Sequence, residues 1–145
     1  MKTSVNRRAA AILTTAALTV GGVMSAGVGS AAAAAPSSAS FSSGPMLPDG
    51  SRTIFVYAEG KYAGKAVWTA NGDKLQAFDT VADGFGIAAY ISTSSGVREA
   101  STYGHSSPYT ATKTGNIAEG TSLGFWACVG GAAGQRCSEV VSAKA

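Results

Sequence analysis

After Arg52 no window of this chain sustains a helical period. Short runs rich in β-branched and aromatic residues alternate instead with breaks of Gly, Asn, Asp and Ser, the signature of strands joined by turns. The runs are TIFVYA (53–58), KAVWTA (65–70), KLQAFDT (74–80), FGIAAYIST (85–93), VREASTYGH (97–105), TSLGFWACVG (121–130) and QRCSEVVSA (135–143). Between them GKYAG, NGD, VADG and SSG read as turns, and SSPYTATKTGN reads as loop. About seven short strands at this spacing predict an all-β, single-domain antiparallel β-sandwich. Strict alternation places Phe85, Ile87, Ala89 and Ile91 on one face of their strand. The expected core is Ile54, Val56, Val67, Leu75, Phe85, Ile87, Ile91, Leu123, Phe125 and Val141.

The stretch FWACVGGAAGQRC adds a covalent constraint. Eight residues, three of them Gly, separate Cys128 from Cys137. If Gly131-Ala132-Ala133-Gly134 makes the turn, the two cysteines face each other across a hairpin. Phe125 is then expected opposite Val140, and Leu123 opposite Ser142. Two cysteines without a neighbouring His are too few for a zinc site, and the spacing is not that of a redox C-x-x-C pair. A hairpin disulfide is the expectation, worth roughly 2.5 kcal/mol through chain entropy.

A disulfide needs an oxidising compartment, and the N-terminus supplies the route. Lys2, Arg7 and Arg8 precede an apolar run over 9–24, and Ala32–Ala35 offer A-x-A cleavage choices ahead of Pro36. Residues 1–34 therefore read as a secretory signal peptide, with cleavage after Ala34. Residues 35–52, rich in Ser, Pro and Gly, read as a flexible leader, and 53–145 as the sandwich domain. Three of the eleven basic residues lie in the signal, leaving eight to balance eight acids. The exported part is thus near neutrality. It lacks the basic footprint of a nucleic-acid binder and the polybasic patch of a membrane-surface protein. No membrane insertion is expected after cleavage.

Three of the eight acids, Asp73, Asp79 and Asp83, crowd into NGDKLQAFDTVADG. An EF-hand frame starting at Asp79 puts Val81 at a ligand position and Tyr90 where the bidentate Glu belongs, so the calcium pattern fails. A hydrolase would need Asp79 and Asp83 across a cleft, one of them with a raised pKa. Turn chemistry accounts for all three: each accepts nearby backbone N–H groups, Asp73 follows the Asn71-Gly72 turn, and Gly84 supplies a left-handed conformation. No metal and no cofactor are expected.

The run GDKLQAFDTVADGFGIAAYI resembles a strand-turn-strand pattern of small secreted actinobacterial β-domain proteins of uncharacterised function. The pattern is Gly-Asp, then Asp-Thr, two residues, Asp-Gly, and an alternating strand. The resemblance covers residues 64–93 and, more loosely, the Trp-x-Cys hairpin. It implies an export signal ahead of a compact β domain and carries over no catalytic residue. Several of those sequences place a Cys where this chain has Phe78, so their disulfide framework is not carried over.

The one His of the chain, His105, lies in STYGHSSPYTATKTG beside Tyr103 and Tyr109. Neither a G-x-S-x-G elbow nor metal-type His spacing accompanies it, so no catalytic residue is assigned. A connection this long is uncommon unless mobile or functional. Its Tyr, Ser, Gly and His content is that of recognition loops. Tyr103, His105 and Tyr109 form the candidate binding surface, with Lys61 and Tyr62 as possible neighbours. The other reading has the two tyrosines packed on sheet edges.

The expectation is a small, secreted, non-enzymatic protein with an extracellular or cell-surface role. Its partner would be an extracellular protein or a cell-envelope component. A secreted inhibitor of a hydrolase, inserting Val97-Arg98-Glu99 or the 103–109 segment, is the first alternative. A hydrolase using Asp79 and Asp83 is the second.

Overall fold

A computed structural model describes residues 33–145. The expected signal segment therefore lies outside the described residues except for its last two. Ten strands and no helix are present among the described residues. They are β1 (Ala39–Ser43), β2 (Arg52–Ala58), β3 (Lys61–Thr69), β4 (Lys74–Asp79), β5 (Gly86–Thr93), β6 (Gly96–Ser101), β7 (Tyr109–Lys113), β8 (Ser122–Gly131), β9 (Gly134–Cys137) and β10 (Val141–Lys144). One sheet runs β1-β2-β3-β4-β7. The other runs β10-β8-β5-β6, with β9 beside β8. Every pairing is antiparallel. The two sheets share one core, which makes the architecture sandwich-like.

The three strands beyond seven have physical reasons. β1 lies inside the segment expected to be a flexible leader, and β7 inside the expected loop. Both are edge strands with mostly exposed, polar side chains, so neither needs an apolar face to belong to a sheet. The expected last strand is split into β9 and β10. At the break, Ser138 N donates to Ala127 O (2.8 Å), and Ala127 N donates back to Ser138 Oγ (3.1 Å). A side chain replaces one backbone partner there, and the register slips by one. Phe125 faces Val141 and Leu123 faces Ala143, not Val140 and Ser142.

The first turn also sits earlier than expected. Glu59 and Gly60 both adopt positive φ (51° and 75°) between the paired Ala58 and Lys61, which makes a two-residue hairpin turn. Residues 61–64, expected in the turn, belong to β3. At NGD the hairpin forms as expected, closed by Asp73 N to Ala70 O at 3.0 Å.

The core holds Ile54, Val56, Leu75, Ile87, Ile91, Leu123 and Phe125, with Phe85 and Val141 partly buried against it. Val67 is a correction. It faces outward, and Trp68 takes the inward position with its Nε1 donating to Lys144 O at 2.6 Å. Alanines fill much of the rest, from Ala58 to Ala143. They let the sheets approach closely around few large side chains.

The disulfide joins Cys128 and Cys137, which sit directly opposite one another on β8 and β9. The turn is the expected Gly131-Ala132-Ala133-Gly134.

Candidate functional site

The chain passes from the second sheet to the first through residues 102–108, and this crossover carries the candidate surface. It is anchored at both ends. Thr102 is fully buried. Its N donates to Ile87 O (2.9 Å), and its Oγ1 accepts from Ile87 N (2.8 Å). Ser107 donates its hydroxyl proton to Asp79 Oδ2. A cis peptide bond joins Ser107 to Pro108, and β7 then pairs with β4 from Tyr109 opposite Asp79.

The three residues of the candidate surface separate. Tyr103 turns over the outer face of the second sheet. Gly86, Gly130 and Gln135 lie in one cross-strand row. The Tyr103 ring lies over Gly86, where a Cβ would fall 2.5 Å from its Cδ1. The phenol reaches across to donate to Gln135 Oε1 at 2.9 Å. In the next row Ala88 and Cys128 are fully buried although they face outward. Beyond them Tyr90 stacks on Trp126, with centroids 5.3 Å apart. Burial pushes the Tyr103 hydroxyl well above the usual phenol range, with Tyr90 and Glu99 adding to the shift.

His105 and Tyr109 remain outside. Their rings stack 3.9 Å apart with an interplanar angle of 7°, and both are exposed. His105 N donates to Thr102 O, which closes the turn that presents the ring. Tyr62 lies on the outer face of the first sheet, edge-on to Tyr57, and does not join them.

A groove of about 630 Å³ opens at this end of the sandwich. Ala82 and residues 84–86, the crossover with Tyr103, His105 and Ser107, the hairpin tip over 130–132, and Ala33 line it. The sequence signal that points to it is the set of five glycines, Gly84, Gly86, Gly104, Gly130 and Gly131, lying at or close to three separate strand ends.

The three acids divide as well. Asp83 is exposed and accepts from Phe85 N at 3.0 Å, a purely local turn bond. Asp79 is only 3 % exposed and holds both Val81 N (3.2 Å) and the Ser107 hydroxyl. Burial raises its pKa. The Ser107 and Val81 hydrogen bonds oppose the shift, and the Asp83 charge adds a smaller push upward. Asp73 adopts φ 47° and accepts Ile117 N at 2.5 Å, tying down the connection before β8. Two of the three acids thus fasten segments 28 and 44 residues away. Neither Asp79 nor Asp83 lines the groove. Among the described residues no group of three or more His, Cys, Asp or Glu is placed to hold a metal ion.

A second aromatic surface covers the outer face of the first sheet. Phe55, Lys65 and Phe78 lie in one row, with Lys65 Nζ 4.9 Å above the Phe78 ring. No protein-family model, no curated protein and no solved structure matches the chain.

Proposed function

We propose that this chain is an exported, non-enzymatic binding domain that contacts an extracellular protein or a cell-envelope component through the groove end of the sandwich. The observation that carries the reading is the exposed His105–Tyr109 stack at the end of a crossover pinned by Thr102 and Asp79. Rigid aromatic area beside small polar residues, held by a buried anchor, loses little entropy when it binds. Export is supported by the disulfide. Among the described residues no helix is long and apolar enough to cross a membrane. The carboxylates are absent from the groove lining, which favours binding over a hydrolase built on Asp79 and Asp83. The inhibitor reading retains only the 103–109 segment. Arg98 is unsuited to insertion, because its Nη1 is buried and its guanidinium occupies the space where a Cβ on Gly115 would lie.

The test is affinity capture from culture supernatant and cell envelope with the exported protein as bait. His105→Ala with Tyr109→Ala should keep the melting temperature and weaken capture at least about tenfold, the loss of a hot-spot contact. Tyr103→Ala should instead cost about 1–3 kcal/mol of stability, because it uncovers Gly86 and loses the hydrogen bond to Gln135. If the His105/Tyr109 variant captures the same partner as well as wild type, the contact surface lies elsewhere.

A further inference from the structure

The segment ahead of β1 does not hang free of the domain. Pro36 is buried, and its O accepts from Arg136 Nε at 2.7 Å. Ser37 donates from its N and Oγ to the Glu59 carboxylate, at 2.5 and 2.7 Å. Upstream of this anchor the chain lies across the β8–β9 hairpin tip. Ala33 O accepts from Ala133 N at 3.2 Å. A Cβ on Gly131 would fall 2.5 Å from Ala33 O and 2.6 Å from Ala33 Cβ. One on Gly134 would fall 3.3 Å from Ala35 N. Ala33 and Ala35 are half-buried while Ala34 is exposed. The segment is therefore read in alternation, with two methyl groups toward two glycines and the residue between them outward. Ala33, Gly131 and Ala132 all line the groove described above.

Cleavage after Ala34 would leave the Pro36–Ser38 anchor intact and remove Ala33. It would free the Ala133 N–H and bare the Gly131 floor beneath it. We infer that this vacated seat is a binding site for the backbone of a peptide with small side chains. The ligand would lie extended, with one carbonyl on Ala133 N–H and a methyl group or hydrogen over Gly131. The precursor's own Ala33 is then the occupant that processing removes. The chemistry follows from the current occupant: one backbone donor fixes the carbonyl, and the missing Cβ at 131 leaves depth for nothing larger than an alanine. This inference rests on the reading of the chain as exported and cleaved, and it names the ligand class for one wall of the same groove.

The test uses the secreted protein, with its N-terminus fixed by mass spectrometry, and its Gly131→Ala variant. The three atoms nearest to a Cβ at 131 all belong to Ala33, so the variant should fold once Ala33 is gone. The probe is N-acetyl-alanyl-alanine amide, titrated while the Ala133 and Gly131 amide resonances are followed. The expected result is a saturable shift at both amides in wild type. The response should be at least about tenfold weaker in Gly131→Ala, and also with N-acetyl-valyl-valine amide as probe, since two methyl groups then compete for the space of one. A wild-type Ala133 amide that does not move overturns the seat, whatever the variant does. So does a valine probe that binds equally well, or a secreted chain that still carries Ala33. If the alanine probe fails while envelope capture still depends on His105 and Tyr109, the seat falls and the binding reading stands. If the probe binds while capture ignores those two residues, the seat stands and the contact surface is wrong.

Discussion

Replacing Asp73 separates two effects that usually travel together. The residue is 8 % exposed, sits at φ 47°, and holds Ile117 N with Oδ2, while Oδ1 is buried without a hydrogen-bond partner. A carboxylate hydrogen bond to a backbone N–H contributes about 1.5–3 kcal/mol. A left-handed φ costs a residue with a Cβ about 1–2 kcal/mol, and Asp somewhat less because its short polar side chain bonds locally. Asp73→Ala loses the clamp and takes the full backbone strain, a total of about 2–4 kcal/mol. Asp73→Gly loses the same clamp but relieves the strain, offset by about 0.5–1 kcal/mol of added freedom in the unfolded chain. The glycine variant should therefore be more stable than the alanine variant by about 0.5–1 kcal/mol, the reverse of an ordinary strand or helix position. Asp73→Asn keeps an acceptor and tolerates the φ, so it should be the mildest, at about 1 kcal/mol. Equilibrium urea unfolding of the oxidised protein gives the order, and hydrogen exchange at the Ile117 amide reports the clamp directly. In a parallel thermal melt of a domain of this size 1 kcal/mol moves the midpoint by about 4–6 °C, so the ranking is resolvable. Alanine more stable than glycine, or Ile117 protection unchanged in both, would refute the account of Asp73 as a clamp on a strained turn.

Other outcomes follow from the same geometry. Replacing Cys128 and Cys137 together by Ala should lower stability by about 2–4 kcal/mol without abolishing the fold, because the core is built from other side chains and the bridge mainly restricts the unfolded chain. Chemical denaturation of the two proteins decides it, and equal midpoints would mean the bridge contributes nothing. Burial raises the Asp79 pKa above its ordinary value of 3.8, so the folded state holds that proton more tightly than the unfolded one. Its favourable contribution is complete below the ordinary value and is lost as pH rises through the folded pKa. Asp79→Asn can retain both hydrogen bonds if the Ser107 hydroxyl reverses its role. Its stability relative to wild type should therefore improve as pH is raised from about 3 to about 7, and a difference that is flat or opposite in sign would exclude the burial account.

The sequence by itself determined which segments alternate, where the chain turns, and that Cys128 meets Cys137 across a glycine-rich hairpin. Those features are local: a period of two, a turn former and a short loop are each decided within about ten residues. Tertiary structure decided what lies against what. β1 and β7 carry no apolar stripe because an edge strand needs only one neighbour's backbone, so ASFSS and YTATK read as leader and loop. KAVWTA alternates equally well in either sense, and only the facing sheet sends Trp68 inward and Val67 outward. Tyr103 and Tyr109 have the same side chain six residues apart. One lies over Gly86 on another strand and reaches Gln135 on a third, and the other stands in solvent against His105. Asp83 stays a local turn residue, whereas Asp73 and Asp79 bond segments far along the chain. A side chain's partner at that separation is chosen by the packing of two sheets, and no window of sequence contains both members of the pair.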